Sequence, residues 1–278
     1  MANGRTLKMT GATLDKIFAW RELREEGFVM PSPHCHTFFE LFYVESGACS
    51  FFIGNNVYDL HEGDFMLIPP QVFHYTRYPY SACRRCNVFF RASEVGERVK
   101  EALPQGEKFF GQIRIFQVPE AYRGQIAELI AGMAREEKIC DSLSEPILET
   151  LLQQLFLLCC RECTFLEDMP EDIHTTDREI VLAAQFIGQH YMDDISAADI
   201  AKAAGYSPNY LSRKFREAAG IGVHEYLTFI RLQRAALELV STADSVTEIA
   251  LRCGFSDGNY FKDAFKKKYG VTPSKYRK

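Results

Sequence analysis

Nowhere in the 278-residue chain does an apolar run reach eighteen residues, which argues against a membrane-spanning helix. The opening residues Met1-Ala2-Asn3-Gly4-Arg5 lack the apolar stretch of a secretory signal, so a cytoplasmic location is expected. Without such a signal the nine cysteines read as reduced thiols, and their odd number resists complete pairing into disulfides. Widespread disorder is excluded by composition, because 47% of residues are hydrophobic and only 25% charged. The length suits two domains better than one.

Charge divides the chain. The net −5 hides a front part, residues 1–176, at −8 and a back part, 177–278, at +3. From residue 201 onward 14 Lys and Arg stand against 7 Asp and Glu. An acidic front joined to a basic tail suggests that only the tail meets a polyanion.

Residues 27–92 read as short strands. The runs Phe38–Val44, Cys49–Ile53, Phe65–Ile68 and Asn87–Phe90 are separated by turn chemistry at Ser46-Gly47, Gly54-Asn55-Asn56, Glu62-Gly63-Asp64 and Pro69-Pro70. Strands at this spacing predict a sandwich or barrel. Residues 120–138 and 145–163 switch to helical periodicity, and Ile147, Leu148, Leu151, Leu152, Leu155, Phe156 and Cys159 give the second helix a wide apolar stripe. That stripe needs a partner, either the barrel or a second subunit. The acidic, Pro-containing stretch Glu167-Asp168-Met169-Pro170-Glu171-Asp172 marks a linker at about 164–176. The chain therefore divides into 1–163, the linker, and a helical domain at 177–278.

That last domain holds an internal repeat of about fifty residues. Ile200-Ala201…Gly205-Tyr206-Ser207-Pro208-Asn209-Tyr210-Leu211…Phe215…Gly220 returns as Ile249-Ala250…Gly254-Phe255-Ser256-Asp257-Gly258-Asn259-Tyr260-Phe261…Phe265…Gly270, with one extra residue in the second turn. Short helix, Gly-containing turn and longer helix make the helix-turn-helix pattern. At about 100° per residue, Leu211, Phe215 and Ala218 face inward, while Asn209, Ser212, Arg213 and Arg216 share an outward arc. In the second copy Phe261 and Phe265 face inward, and Asn259, Lys262, Asp263 and Lys266 face outward. Arginine can pair with guanine edges or phosphate, and asparagine with adenine. Between the copies Gly222–Ser241 predicts a helix of roughly 30 Å, close to the ~34 Å between successive major grooves.

These residues, with the closing run Gly270-Val271-Thr272-Pro273…Tyr276-Arg277, resemble the DNA-binding domain of the AraC/XylS family of transcription regulators. The resemblance implies an all-α double helix-turn-helix. It places Asn209, Ser212 and Arg213, then Gly258, Asn259 and Lys262, at base-reading positions. Arg216 and Lys266 join them from the outward arcs. Asp263 departs from the family pattern, where Arg or Lys is common, so the second unit is expected to contribute affinity more than specificity.

In the front domain His34, His36 and Glu40 fall on even positions of an extended segment, sharing a face with Phe42 and Val44. His74 follows Gly63-Asp64…Pro69-Pro70. Both segments resemble the two cupin motifs, with Gln71 and Tyr78 as departures from the usual Gly and Asn. In metal-binding cupins the matching positions would be His34, His36, Glu40 and His74, a donor set suited to Zn, Fe, Mn or Ni. Two readings stand beside each other: a metalloenzyme, or a sensor that uses these groups to bind an effector. Fusion to a DNA-binding domain favours the sensor, with no catalysis, no required cofactor and a divalent metal as an option. A third reading leaves the cupin-like part for dimerisation alone. Phe38, Phe42 and Tyr75 are candidates to line a pocket for a sugar or another small polar metabolite. Cys83-x-x-Cys86 and Cys159, Cys160 and Cys163 could form a zinc site but read better as buried thiols. The family further implies a homodimer through the Leu-rich helix, double-stranded operator DNA and contact with RNA polymerase.

Overall fold

A computed structural model describes residues 14, 16–165 and 177–277. The opening pentapeptide and positions 166–176 of the expected linker lie outside the described residues. The chain divides into two compact units.

The first unit is sheet-rich. Its strands are β1 (Phe18–Arg24), β2 (Phe39–Ser46), β3 (Ala48–Ile53), β4 (Asn56–His61), β5 (Asp64–Ile68), β6 (His74–Arg77), β7 (Cys83–Phe90), β8 (Arg114–Gln117) and β9 (Thr164–Phe165). They form a six-stranded sheet in the order β1-β7-β2-β5-β8-β9 and a three-stranded sheet in the order β4-β3-β6. The four apolar runs of the sequence correspond to β2, β3, β5 and β7. Strands β1, β4, β6 and β8 are half-polar or short and carry no comparable signal. Thr164–Phe165, expected to open the linker, instead pair with β8 at Phe116↔Phe165 and Gln117↔Thr164. The linker reading was two residues early there because Thr-Phe is strand chemistry that extends an existing edge.

Alternation along the strands separates two cores. Phe42, Val44, Met66 and Ile68 of the large sheet meet Cys49, Phe51 and Ile53 of the small one, filling the interior between the sheets. Leu41, Tyr43, Phe65, Leu67, Val88 and Phe90 point the opposite way. That outer face is covered by α1 (Glu97–Ala102), α2 (Glu120–Ile139) and α3 (Ser144–Glu162). Leu148, Leu152, Leu155, Phe156 and Cys159 of α3 pack into it and are almost wholly buried. The apolar stripe of α3 therefore finds its partner within the same chain, except that Ile147, expected in it, is turned away from this core and 38% exposed.

None of the nine cysteines is in a disulfide. Cys83 and Cys86 are three apart in β7, so they face opposite sides: Cys83 joins the interior core and Cys86 the outer one. One metal ion cannot collect both.

The second unit is helical: α4 (Arg178–His190), α5 (Ala197–Ala204), α6 (Pro208–Ala219), α7 (Val223–Ser241), α8 (Val246–Arg252), α9 (Gly258–Tyr269) and α10 (Pro273–Tyr276). Local chemistry sets the boundaries. Ser196 and Ser245 cap α5 and α8 in capping boxes with Asp199 and Glu248. Gly205 and Gly220 end α5 and α6 with φ of 82° and 73°, the left-handed region open to glycine. Both halves of α7 are used. Tyr226 and Leu227 lie among the buried residues near Phe215, while Leu232, Ala235 and Leu239 pack with Ile249, Phe261 and Phe265. Among the described residues no helix is long and apolar enough to cross a membrane.

Candidate DNA interface and ligand site

The two helix-turn-helix units present matching surfaces. In α6, Ser207 caps the helix by accepting from Tyr210 N, and Pro208 follows where its missing N–H costs nothing. Leu211, Phe215 and Ala218 are buried, whereas Asn209, Ser212, Arg213 and Arg216 are exposed. Tyr210 Oη donates to Glu179 Oε1 at 3.2 Å, tying α6 to α4. In α9, Asp257 is the N-cap, its Oδ1 accepting from Asn259 N at 2.7 Å and Tyr260 N at 3.2 Å. This cap was not singled out in the sequence, although an Asp just before a helical run is its usual signature. Phe261 and Phe265 are buried; Gly258, Asn259, Lys262, Asp263 and Lys266 are exposed.

The basic residues differ in freedom. Arg213 is 67% exposed and stands 4.0 Å from Glu217. Arg216 donates to Glu225 Oε2 at 3.1 Å. Lys268 turns away from the outward arc of α9, its Nζ 3.4 Å from the Phe229 ring centre.

In the sheet-rich unit Glu40, His36 and His74 converge. Strand β2 carries Glu40, Phe42 and Val44 on the interior face, as expected. The extended segment does not continue back to His34, because β2 begins at Phe39. His34 arrives instead through an isolated bridge to His74, with His34 N donating to His74 O at 3.1 Å and His74 N to His34 O at 3.0 Å. His36 Nε2 lies 3.0 Å from Glu40 Oε2, and His74 Nε2 lies 3.4 Å from the same oxygen. Asn87 Nδ2 donates to the other oxygen, Oε1.

Their ring orientations are set from behind. His36 Nδ1 is 2.7 Å from Phe38 O, and His74 Nδ1 is 3.0 Å from Val72 O. A carbonyl only accepts, so each Nδ1 carries the hydrogen. In the neutral rings both Nε2 lone pairs then face a carboxylate, an arrangement that calls for a proton or a metal cation between them. His34 Nε2 is buried without a hydrogen-bond partner. His34, Glu40 and His74 offer ligand atoms within 4.8 Å of one another, all three buried. Two imidazoles and one carboxylate, with the His74 ring N–H anchored to backbone, fit a divalent transition metal. His36 lies outside that group and serves Glu40 as a hydrogen-bonding neighbour.

Burial and then His74 push the His34 imidazole down to about 3. Burial alone would raise the Glu40 carboxyl, but the adjoining His36 and His74 imidazoles overcome it and hold the group well below the usual carboxylate range.

Of the aromatic residues expected around this cluster, Phe38 stacks on His36 with ring centres 4.4 Å apart, and Phe42 lines the interior beside Phe51. Tyr75 does not join them. It pairs with Phe52 between His74 and Thr76, and alternation turns it to the face opposite His74. Gln71 holds φ at 64°, so the cupin-like turn that usually uses glycine is made here by a strained residue.

Residues 17–155 match the family described as AraC-like ligand binding domain, and residues 200–278 match the family described as helix-turn-helix domain. The HTH-type transcriptional activator RhaS of Escherichia coli O1:K1 is 26% identical over 248 residues, covering 88% of this chain and 86% of its own. The C-terminal domain of AraT, a response regulator from Geobacillus stearothermophilus, is 41% identical over 34% of this chain and 79% of that one, with a TM-score of 0.33. Apo ToxT from Vibrio cholerae strain SCE256, in a single-substitution variant, aligns over 95% of this chain and 97% of its own, at 15% identity and a TM-score of 0.39. The chain belongs to the AraC family of transcription regulators, with a ligand-binding domain ahead of its helix-turn-helix DNA-binding domain.

Proposed function

We propose that the protein is an effector-responsive, cytoplasmic regulator with no catalytic activity, and that its effector is a sugar or other small polar metabolite bound between the two sheets. The carrying observation is the buried His34–Glu40–His74 cluster, whose His34 Nε2 has no protein partner. In an interior otherwise filled by Phe42, Phe51 and Met66, polar atoms aimed inward are explained by a ligand that completes them. Phe38 and Phe42 flank that ligand. His34, Glu40 and His74 would hold a divalent metal, which would supply a Lewis-acidic coordination point for a ligand oxygen.

On the DNA side, residues 177–278 form the DNA-binding domain, joined to the sheet-rich unit by the linker region. Asn209, Ser212 and Arg213 read base edges. Gly258, Asn259, Lys262 and Lys266 engage the second major groove and its phosphates. The 19 residues of α7 span roughly 28 Å, close to the groove repeat of operator DNA. A homodimer would present two such domains, and effector binding would shift their presentation through different affinities for two states. Because the relative RhaS is named a transcriptional activator, contact with RNA polymerase and activation are the outcome we assign.

A thermal-shift screen of polar metabolites tests the reading, since a ligand stabilises the state it binds. A hit that also changes operator affinity supports it. Stoichiometric iron or manganese with turnover of a bound metabolite would replace it by the metalloenzyme reading.

A further inference from the structure

The interior face of the large sheet carries charge where apolar residues would be cheaper. In the β1–β7 register Trp20 pairs with Asn87, Glu22 with Arg85 and Arg24 with Cys83. Phe42 and Val44 of β2 pair with Asn87 and Arg85 from the other side. Directly paired residues share a face, so Glu22, Arg24, Arg85 and Asn87 belong to the same interior face as Glu40.

Their side chains form a continuous ladder. Asn87 Nδ2 donates to Glu40 Oε1, Arg85 Nη1 donates to Asn87 Oδ1 at 2.6 Å, and Arg85 Nη2 donates to Glu22 Oε2 at 3.2 Å. Arg24 Nη2 reaches the same Glu22 oxygen at 2.7 Å. Arg85 is only 8% exposed, and the Arg24 side chain 26%.

Two guanidiniums therefore share one carboxylate. Glu40 meets the pair only through Asn87, so the direct ion pairing of both guanidiniums falls to Glu22. The Nε atoms of both Arg24 and Arg85 are buried without a hydrogen-bond partner. An unmatched donor on a buried cation is costly and serves no packing purpose. The Phe28 ring lies 4.1 Å from Arg24 Cζ and the Phe42 ring 5.6 Å from Arg85 Cζ, so aromatic faces flank the pair without supplying an acceptor. Burial, and after it the charge of Arg85, lowers the pKa of Arg24, as expected for a guanidinium lacking a full counter-ion.

We infer that this end of the barrel interior is an oxyanion-binding site, and that the effector is an acid whose carboxylate or phosphate pairs with Arg85 and Arg24. This rests on reading the domain as an effector site and narrows the class of metabolite. The acid group supplies a second direct counter-ion and accepts from the Nε–H groups of Arg24 and Arg85. Glu22 positions both guanidiniums and competes with the ligand for them.

The test uses the full chain and matched probes: glucose and galactose, glucuronate and galacturonate, gluconate, and glucose 6-phosphate, read by thermal shift and calorimetric titration. One or more acids are expected to raise Tm where the neutral sugars do not; the carboxylate and phosphate arms identify the group. Arg24→Met is expected to weaken that acid by roughly 10- to 100-fold, the loss of a charge-assisted hydrogen bond. Glu22→Gln is expected to tighten it several-fold by removing the competing charge, an outcome a purely structural ladder would not give. It also keeps the question answerable if Arg24→Met fails to fold. Neutral sugars that stabilise as well as the acids overturn the oxyanion assignment and leave the effector reading standing. Silence of every acid and phosphate overturns the assignment, and a Glu22→Gln variant that binds the acid more weakly does so as well.

Discussion

Arg216 Nη2 donates to Glu225 Oε2 at 3.1 Å, and that same oxygen accepts from Gly222 N at 2.7 Å. The last turn of the first recognition helix is thus strapped to the first turn of α7. Arg213, one turn earlier and 67% exposed, has only a 4.0 Å approach to Glu217. The two arginines of the outward arc are therefore not equivalent. Arg213→Ala is expected to cost about 1–3 kcal/mol of specific binding, with little effect on a scrambled duplex. Arg216→Ala should weaken both duplexes alike. Anisotropy titrations with the two duplexes measure the difference, and equal losses for Arg213→Ala would remove it from base readout.

The second unit is expected to act through phosphate. Lys262 and Lys266 are exposed on α9, whereas Lys268 donates to Phe229 O at 3.3 Å and lies over that ring. Removing one lysine–phosphate pair reduces the slope of log K against log salt by about 0.9. Lys262→Ala and Lys266→Ala should each do so across all sequences. Lys268→Ala should leave the slope unchanged and lower thermal stability instead. A salt titration of the three variants distinguishes these outcomes.

How much of the fold is legible in the sequence follows from what periodicity encodes. The helix-turn-helix pair was legible because capping residues, glycines and inward aromatics recur in register. Strands buried on both faces, such as β2 and β5, were legible as apolar runs. β1 was not, because its interior face holds Trp20, Glu22 and Arg24, residues that sequence patterning assigns to solvent. The His34–His74 bridge was equally hidden: it joins segments forty residues apart, and no local spacing announces it. Tyr75 shows the limit of proximity in sequence, since one step along a strand from His74 reverses the face.

Acid should destabilise metal-free protein in a defined window. His34 is depressed to about 3 in the folded state, against an ordinary value near 6.5, first by burial and then by His74. Between those values the unfolded chain binds the proton and the folded chain does not. Stability is therefore complete above about pH 6.5 and is lost as pH falls toward 3, by up to about 1.4 kcal/mol per pH unit. The depressed Glu40 carboxyl adds a loss of the same sign below its ordinary range. Urea denaturation of chelator-treated protein at a series of pH values measures the slope. His34→Gln should flatten it between pH 6.5 and 3, and an unchanged slope would place the acid sensitivity elsewhere.

The homodimer proposed above can be separated from core packing on α3 itself. Leu148, Leu152 and Leu155 are fully buried against the sheet. Leu143, Ile147 and Leu157 are 62%, 38% and 46% exposed, and at 100° per residue they fall within an arc of about 80° on the other side of the helix. They share that side with exposed Thr150, Gln154 and Arg161, and nothing among the described residues covers them. Leu152→Ala should cost about 2–5 kcal/mol of folding stability through the cavity it leaves, without changing the oligomeric state. Ile147→Glu with Leu157→Glu should leave the fold intact, since both positions are solvent-exposed in the single chain, and convert dimer to monomer in light scattering. Operator DNA with two half-sites should then bind more weakly, while a single half-site is unaffected. If the doubly charged variant still sediments as a dimer, the subunit interface lies off α3.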